Sequence, residues 1–322
     1  MRLVEGQMRM INSIINLSRE DRCQTIGFQA IGRLSFVMCV VAMILLFSSC
    51  ENPDLGNTAD DDAVNILGEG GKIVEFHFSG LSIDDFEGES VALGVQSCAR
   101  LNFAIFDGDK RLKVINQTGD QPSFGRVVFD MEPGRYRVVA LGHNGLGNAS
   151  ISSPVQIKFK DNKVTDTFYY YGTIEVKGSS SFEIPLKRAV AKCQIVIRDR
   201  FPATVSQMQF KYTGGSSTFN AVTGYGCVNS RQTENRSIIA PDEKGATSFD
   251  LYTFPHNDND LLSITVMALS ESGDIVASQV IDDVQVNVNK LTRCDGELFG
   301  ETTESSEGGD FIVTTHDEWM GN

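Results

Sequence analysis

The chain has 322 residues, with 42 acidic against 28 basic side chains and a formal net charge of −14. A surface of that sign repels phosphate backbones, whose binding depends on Lys and Arg displacing counterions, so nucleic acid is excluded as an expected partner. The 4 His and 7 Cys form no HExxH or CxxC pattern, and no GxSxG elbow occurs, so neither a structural metal nor a hydrolase is implied.

Residues 36–47 (FVMCVVAMILLF) carry no charge and follow Arg33, the order of a secretory signal. This run of 12 is well short of the ~20 apolar residues that cross a bilayer, so removal is expected rather than retention. Phe47, Ser48, Ser49 and Cys50 follow, and they resemble the lipobox of bacterial lipoproteins. That resemblance implies cleavage between Ser49 and Cys50 and acylation of Cys50, with several acyl chains making a firm anchor. The lead before the signal is long and contains Met8 and Met10, so translation is expected to start downstream of Met1. From Cys50 onward the balance is 23 basic against 39 acidic residues.

Residues 51–71 are rich in Gly, Asn and Asp with few large apolar side chains, the composition of a tether that cannot bury enough surface to fold. Beyond Lys72 the texture changes to short alternating runs such as 73–78 (IVEFHF), 101–106 (LNFAIF) and 136–141 (YRVVAL), separated by turn clusters such as FDGD and EPGR. An all-β protein is predicted.

Two segments recur. Residues 99–107 (ARLNFAIFD) align with 191–199 (AKCQIVIRD), and 136–141 (YRVVAL) with 264–269 (ITVMAL), in the same order in each half. The pattern predicts two related sandwich domains with a seam near Pro185 to Val190, where proline suits an edge or a linker. The expected organisation is a leader over 1–49, a lipidated tether over 50–71, sandwiches over 72–187 and 188–300, and a polar linker with a C-terminal strand over 301–322.

The lipobox, FDGDKRL (106–112), MEPGRYRVVALG (131–142), KRAVAKCQIVIRD (187–199) and VNVNKLTRCDGELFG (286–300) occur in an order that resembles the Bacteroidetes fimbrillin superfamily, nearest its FimB-type anchor and accessory branch. The resemblance implies two tandem transthyretin-like β-sandwich domains, attachment to the outer membrane with surface exposure, and a role in building or anchoring fimbriae and in cell adhesion, without catalysis. It also implies donor-strand exchange with other fimbrial subunits, in which one subunit supplies an edge strand that its neighbour lacks. Stalk subunits of the superfamily open that vacancy by proteolysis after a basic residue beyond the first strand. Here no Lys or Arg lies between Lys72 and Arg100, so a basic-specific protease cannot release residues 73–78 cleanly, which favours an anchor or accessory subunit. The rival reading is a surface glycan-binding lipoprotein of similar build.

Other residues were weighed for chemistry. Cys98, Cys193, Cys227 and Cys294 remain after Cys50; a Cys227–Cys294 disulfide is conceivable in an exported chain, while Cys193 alternates with Ile195 and Ile197 like a core residue. His77 reads as a sheet residue. The run GHNGLG (142–147) leads into no helix, so it reads as a loop rather than a phosphate cradle. Asp107 and Asp109, and Asp258 and Asp260, lack EF-hand spacing and read as solvated turns. Tyr169, Tyr170 and Tyr171 suit strand packing better than sugar stacking. No metal and no cofactor are expected. At the C-terminus, 301–309 (ETTESSEGG) is polar, and 310–319 (DFIVTTHDEW) is apolar and holds the single tryptophan. Phe311, Ile312, Val313 and Trp319 are the candidate terminal or donor strand, which either completes the chain's own second sheet, the preferred outcome, or is lent to a partner.

Overall fold

The computed structural model describes residues 71–79, 98–238, 246–299 and 311–316. The described residues are almost entirely β, as the alternating runs predict, with one short 3₁₀ turn at Lys160–Asn162. The first half contains β1 (Lys72–Ser79), β2 (Arg100–Asp107), β3 (Lys110–Thr118), β4 (Arg126–Met131), β5 (Gly134–His143), β6 (Ser150–Ser153), β7 (Gln156–Lys158), β8 (Thr167–Val176), β9 (Ser180–Pro185) and β10 (Lys187–Arg188). The second contains β11 (Ala191–Ile197), β12 (Gln207–Thr213), β13 (Thr218–Asn220), β14 (Tyr225–Gly226), β15 (Gln232–Ser237), β16 (Thr247–Thr253), β17 (Asp260–Leu269), β18 (Ile275–Val286), β19 (Leu291–Gly296) and β20 (Ile312–His316).

Two sandwiches result. In the first, a sheet ordered β4-β1-β9 packs on one ordered β10-β8-β5-β2-β3. Val74 and Phe76 of the first sheet meet Leu101, Phe103, Ile105, Val138 and Phe168 of the second in one buried core. In the second sandwich, a sheet ordered β16-β11-β19-β20 faces one ordered β15-β12-β17-β18. Ile195, Leu251 and Cys294 there meet Phe210, Ile264 and Val284.

The strand orders define the internal repeat. β1 pairs antiparallel with β4 and parallel with β9, and β11 pairs antiparallel with β16 and parallel with β19. β2 lies between β3 and β5, as β12 lies between β15 and β17. The alignment of 136–141 with 264–269 therefore joins equivalent strands, β5 and β17. The alignment of 99–107 with 191–199 does not: β11 occupies the place of β1, and the counterpart of β2 is β12. Short alternating apolar strands resemble one another whatever their place in a sheet, and this pairing is one such coincidence.

A third core joins the halves. The sheet of β2, β5 and β8 is covered on both faces, so residues 101–106 are all buried. Its second face, with Ala104, Phe106, Val139, Leu141 and Tyr169, packs against Ile151, Ile157 and Phe159 and against Ala189, Val190, Phe219 and Phe254 from beyond the seam. A small sheet ordered β14-β13-β7-β6 seals this layer, with Phe219 of the second half paired to Ile157 of the first. Arg188 sits at the junction. Its Nε and Nη2 donate to Asp166 Oδ1 and Oδ2 at 2.9 and 3.1 Å, its Nη1 donates to Asn289 Oδ1 at 3.1 Å, and its guanidinium lies 4.8 Å from the Phe168 ring centre. A bidentate pair of this kind fixes orientation as well as distance.

Candidate functional site

β1 is the first described strand and the middle strand of its sheet. Its period of two turns Val74, Phe76 and Phe78 inward, while Ile73 and Glu75 face outward. Phe76 is the hub of an aromatic cluster, with ring centres 4.8 Å from Phe103, 5.5 Å from Phe129 and 5.6 Å from Phe182. On the outer face Glu75 accepts from Arg126, which holds its carboxyl below the usual range, and His77 Nε2 lies 3.1 Å from the same carboxylate. His77 is thus a sheet residue, as its alternation predicts.

β20 is the opposite kind of strand. It pairs antiparallel with β19, from Leu291 against His316 to Asp295 against Ile312, and all five of its side chains are exposed. Phe311, just before it, is half-buried against the second core. A Cβ at Gly296 would meet the Phe311 ring at 2.8 Å, so this ring needs glycine at that position. Of the residues singled out in sequence, Phe311, Ile312 and Val313 thus lie at one sheet edge. Ser49, Cys50 and Trp319 lie outside the described residues.

The stretches 187–199 and 286–300 meet as the neighbouring parallel strands β11 and β19. Asp199 accepts the backbone N–H of Leu298 at 2.9 Å and that of Phe299, and the Phe299 ring lies 5.3 Å from Phe201. Arg198 and Arg293 both donate to Asp295, and the bond from Arg198 is the main cause holding that carboxyl below its ordinary range.

A buried polar network at the end of β2 and β5 has no counterpart in the sequence reading. Gly145 N–H donates to His143 Nδ1 at 3.0 Å, so Nε2 carries the proton and donates to Asn102 Oδ1 at 2.7 Å. Ala149 N–H donates to the same Oδ1 at 3.0 Å, and Asn102 Nδ2 donates to Asn116 at 2.7 Å. Arg100 ties down the 144–148 loop through Gly145 O, at 2.9 Å, and Leu146 O, at 3.2 Å. Burial, reinforced by the Arg100 charge, pushes the His143 pKa down to about 4. Its place inside the apolar strand LNFAIF was the one signal that Asn102 offered. Past the end of β5 at His143, the rest of GHNGLG is a loop, held by that histidine.

The cysteines follow the core reading of Cys193 and not the conceivable Cys227–Cys294 disulfide. All four described cysteines are free, and Cys294 faces Cys193 in the second core, Sγ to Sγ 3.8 Å, rather than Cys227. Cys227 is exposed in the loop after β14, and its thiol points to the Thr218 carbonyl; Cys294 lies opposite Ile195 on the parallel neighbour, so its contact with Cys193 is a diagonal one across that pair. Tyr169 is buried in the third core, Tyr171 packs against it, and Tyr170 packs on the first. Asp109 accepts from Arg137 at 2.8 Å, Asp258 accepts from the Tyr225 hydroxyl at 3.0 Å, and Asp260 lies 2.8 Å from His256 Nδ1. Among the described residues no group of three or more His, Cys, Asp or Glu could hold a metal, and no helix is long and apolar enough to cross a membrane.

Two sandwiches, a core-forming first described strand and an edge-bound last described strand define an all-β protein whose distinctive features are strand pairings. The chain belongs to the family of fimbrillin-A associated anchor proteins Mfa1 and Mfa2, whose family model matches residues 94–307. Membership associates it with fimbriae, cell adhesion and other fimbrial subunits. No curated protein matches it in sequence. Among solved structures it is similar to a candidate adhesin from Bacteroides ovatus ATCC 8483, at 11% identity, TM-score 0.49, and coverage of 72% of this chain and 92% of that one. It is also similar to the fimbrial anchor protein Mfa2 from Porphyromonas gingivalis, at 11% identity, TM-score 0.44, and coverage of 77% of this chain and 98% of that one.

Proposed function

We propose that this chain is a lipid-anchored anchor or accessory subunit of an outer-membrane fimbrium, without catalysis, cleaved before Cys50 and joined to other subunits by strand exchange. The division into domains at 187 and 188 and the tether over 50–71 belong to the same reading. The observation that carries it is the place of β1: a middle strand whose Val74 and Phe76 are fully buried, in a stretch with no basic residue before Arg100. A subunit that keeps this strand keeps its tether joined to its first sandwich, as an anchor requires. β20 is the strand available for exchange, since among the described residues the inward anchor beside it is Phe311 alone. The glycan-binding reading has no support in the three tyrosines, which are used in packing.

Two measurements test this. Cys50→Ala is expected to move the protein from the membrane fraction to a soluble or unprocessed form; retention after a high-salt wash would show that lipid at Cys50 does not hold it. Intact mass of the protein from cells is expected to include residues 73–78, and a main species beginning between Gly80 and Arg100 would point to a stalk subunit instead.

A further inference from the structure

Three segments stand apart from the acidic balance of the chain. Residues 110–118 carry three Lys or Arg, 144–163 carry three and 214–233 carry one, against the single acid Asp161, in a chain of net charge −14. The acids that flank them each have a partner: Asp109 accepts from Arg137, Asp120 from the Thr118 side chain, Asp166 from Arg188 and Glu234 from Arg236. Folding brings the three segments together around the small sheet β14-β13-β7-β6. Ile151, Ile157 and Phe219 of that sheet point into the third core, so alternation turns Ser152, Gln156 and Lys158 outward. Arg111 is tied to the sheet by the bond from its Nη1 to Ile151 O, at 2.9 Å, and Lys158 lies in register with Thr218. The stem of Lys160 covers Gly147, where a Cβ would meet its Cδ at 2.6 Å. Four aliphatic side chains rim these cations: Leu112, Leu146, Val155 and Val222 are 46%, 80%, 51% and 46% exposed. Leu112 follows Arg111, Leu146 precedes the glycine beneath Lys160, and the Val155 and Val222 turns are joined by the bond from Ala221 N–H to Pro154 O, at 2.8 Å.

We propose that this layer is a docking face for the surface of an anionic lipid bilayer. Lys and Arg side chains are drawn to the acidic headgroups, and apolar side chains held at loop tips enter the boundary between headgroups and acyl chains. A soluble anionic polymer would satisfy the cations but leave the four aliphatic tips in water, so the rim selects the lipid surface. The sheet can present its tips in a fixed array because the third core packs behind it, with Phe219 and Ile157 paired across the two halves of the chain. The proposal does not rest on lipid at Cys50. An acyl anchor keeps a chain near a membrane, whereas this face sets how the folded body lies on it.

The test takes the chain from residue 51 onward, without leader or acyl group, which holds every described residue. It is sedimented with vesicles of phosphatidylcholine and phosphatidylserine at about 3:1, and with vesicles of phosphatidylcholine alone. Binding to the anionic vesicles is expected, weakening as salt is raised, with slowed hydrogen exchange over 144–158 and 220–223. Lys158→Glu with Lys160→Glu is expected to weaken binding at least about tenfold, and so is the triple change Leu146→Ser, Val155→Ser and Val222→Ser, each read in Kd. The thermal midpoint should be unchanged by these exposed substitutions. No preference for the anionic vesicles, or slowed exchange elsewhere in the chain and not at these loops, overturns the proposal. Loss in the charge variant with none in the serine variant overturns it too, in favour of an anionic polymer as the occupant.

Discussion

The sheets β4-β1-β9 and β16-β11-β19-β20 are built alike, yet the first described strand lies in one and the last described strand in the other. In the first, the middle strand β1 is the first described strand of the chain. In the second, the equivalent β11 is internal, and the terminal strand β20 is an addition at the edge with every side chain exposed. The difference teaches that position in the sequence does not decide whether a strand can be spared. Position in the sheet does, because a middle strand carries one face of the core and an added edge strand carries only ladder hydrogen bonds, which water replaces when the strand departs.

The largest expected effect tests the middle strands. Phe76→Ala should destabilise the protein by about 3–5 kcal/mol and Ile195→Ala by about 2–5 kcal/mol in denaturant unfolding. A Phe76→Ala cost below about 1 kcal/mol, the size expected of a surface change, would break the equivalence of β1 and β11.

The next effect separates the sandwiches by pH. The folded His143 pKa, about 4, lies below its ordinary value, so the unfolded chain binds the proton first as pH falls. Its contribution is complete above roughly pH 6.5 and is lost toward pH 4, by at most about 3 kcal/mol. His143→Gln should lower stability at neutral pH, through the lost Gly145 bond, and flatten the profile in that window. An unchanged acid slope would remove His143 as its cause.

The smallest effect belongs to β20. Truncation after residue 300 should cost about 1 kcal/mol, mostly through Phe311, and leave the first sandwich untouched. A cost above about 3 kcal/mol would show that β20 completes its sheet as indispensably as β1 does.

Much of this was legible in the sequence, and the exceptions share a cause. Residues 73–78 were read as a strand and lie within β1, because period-two alternation reports one buried face directly. LNFAIF was read the same way, but both of its faces are covered, and no local pattern reveals the second layer. That layer is made from pieces as short as Gln156–Lys158 and Thr218–Asn220, which carry no periodicity of their own. His143, Asn102 and Arg188 take their meaning from partners 41, 22 and 101 residues away. The terminal strand was visible as an apolar run after a polar one, whereas its pairing with β19 depended on the order of a whole sheet.

The place of β1 also has a mechanical meaning. It is bonded to β4 on one side and β9 on the other. A pull on Gly71 along the axis of β1 loads the bonds of both ladders together, in shear. The same pull on an edge strand drawn sideways would open its bonds one after another, like a zipper. Burial of Val74, Phe76 and Phe78 adds resistance, since the strand cannot slide by one residue without turning its apolar face to water. A pull applied from the N-terminal side of β1 therefore meets a strand loaded in its strongest direction.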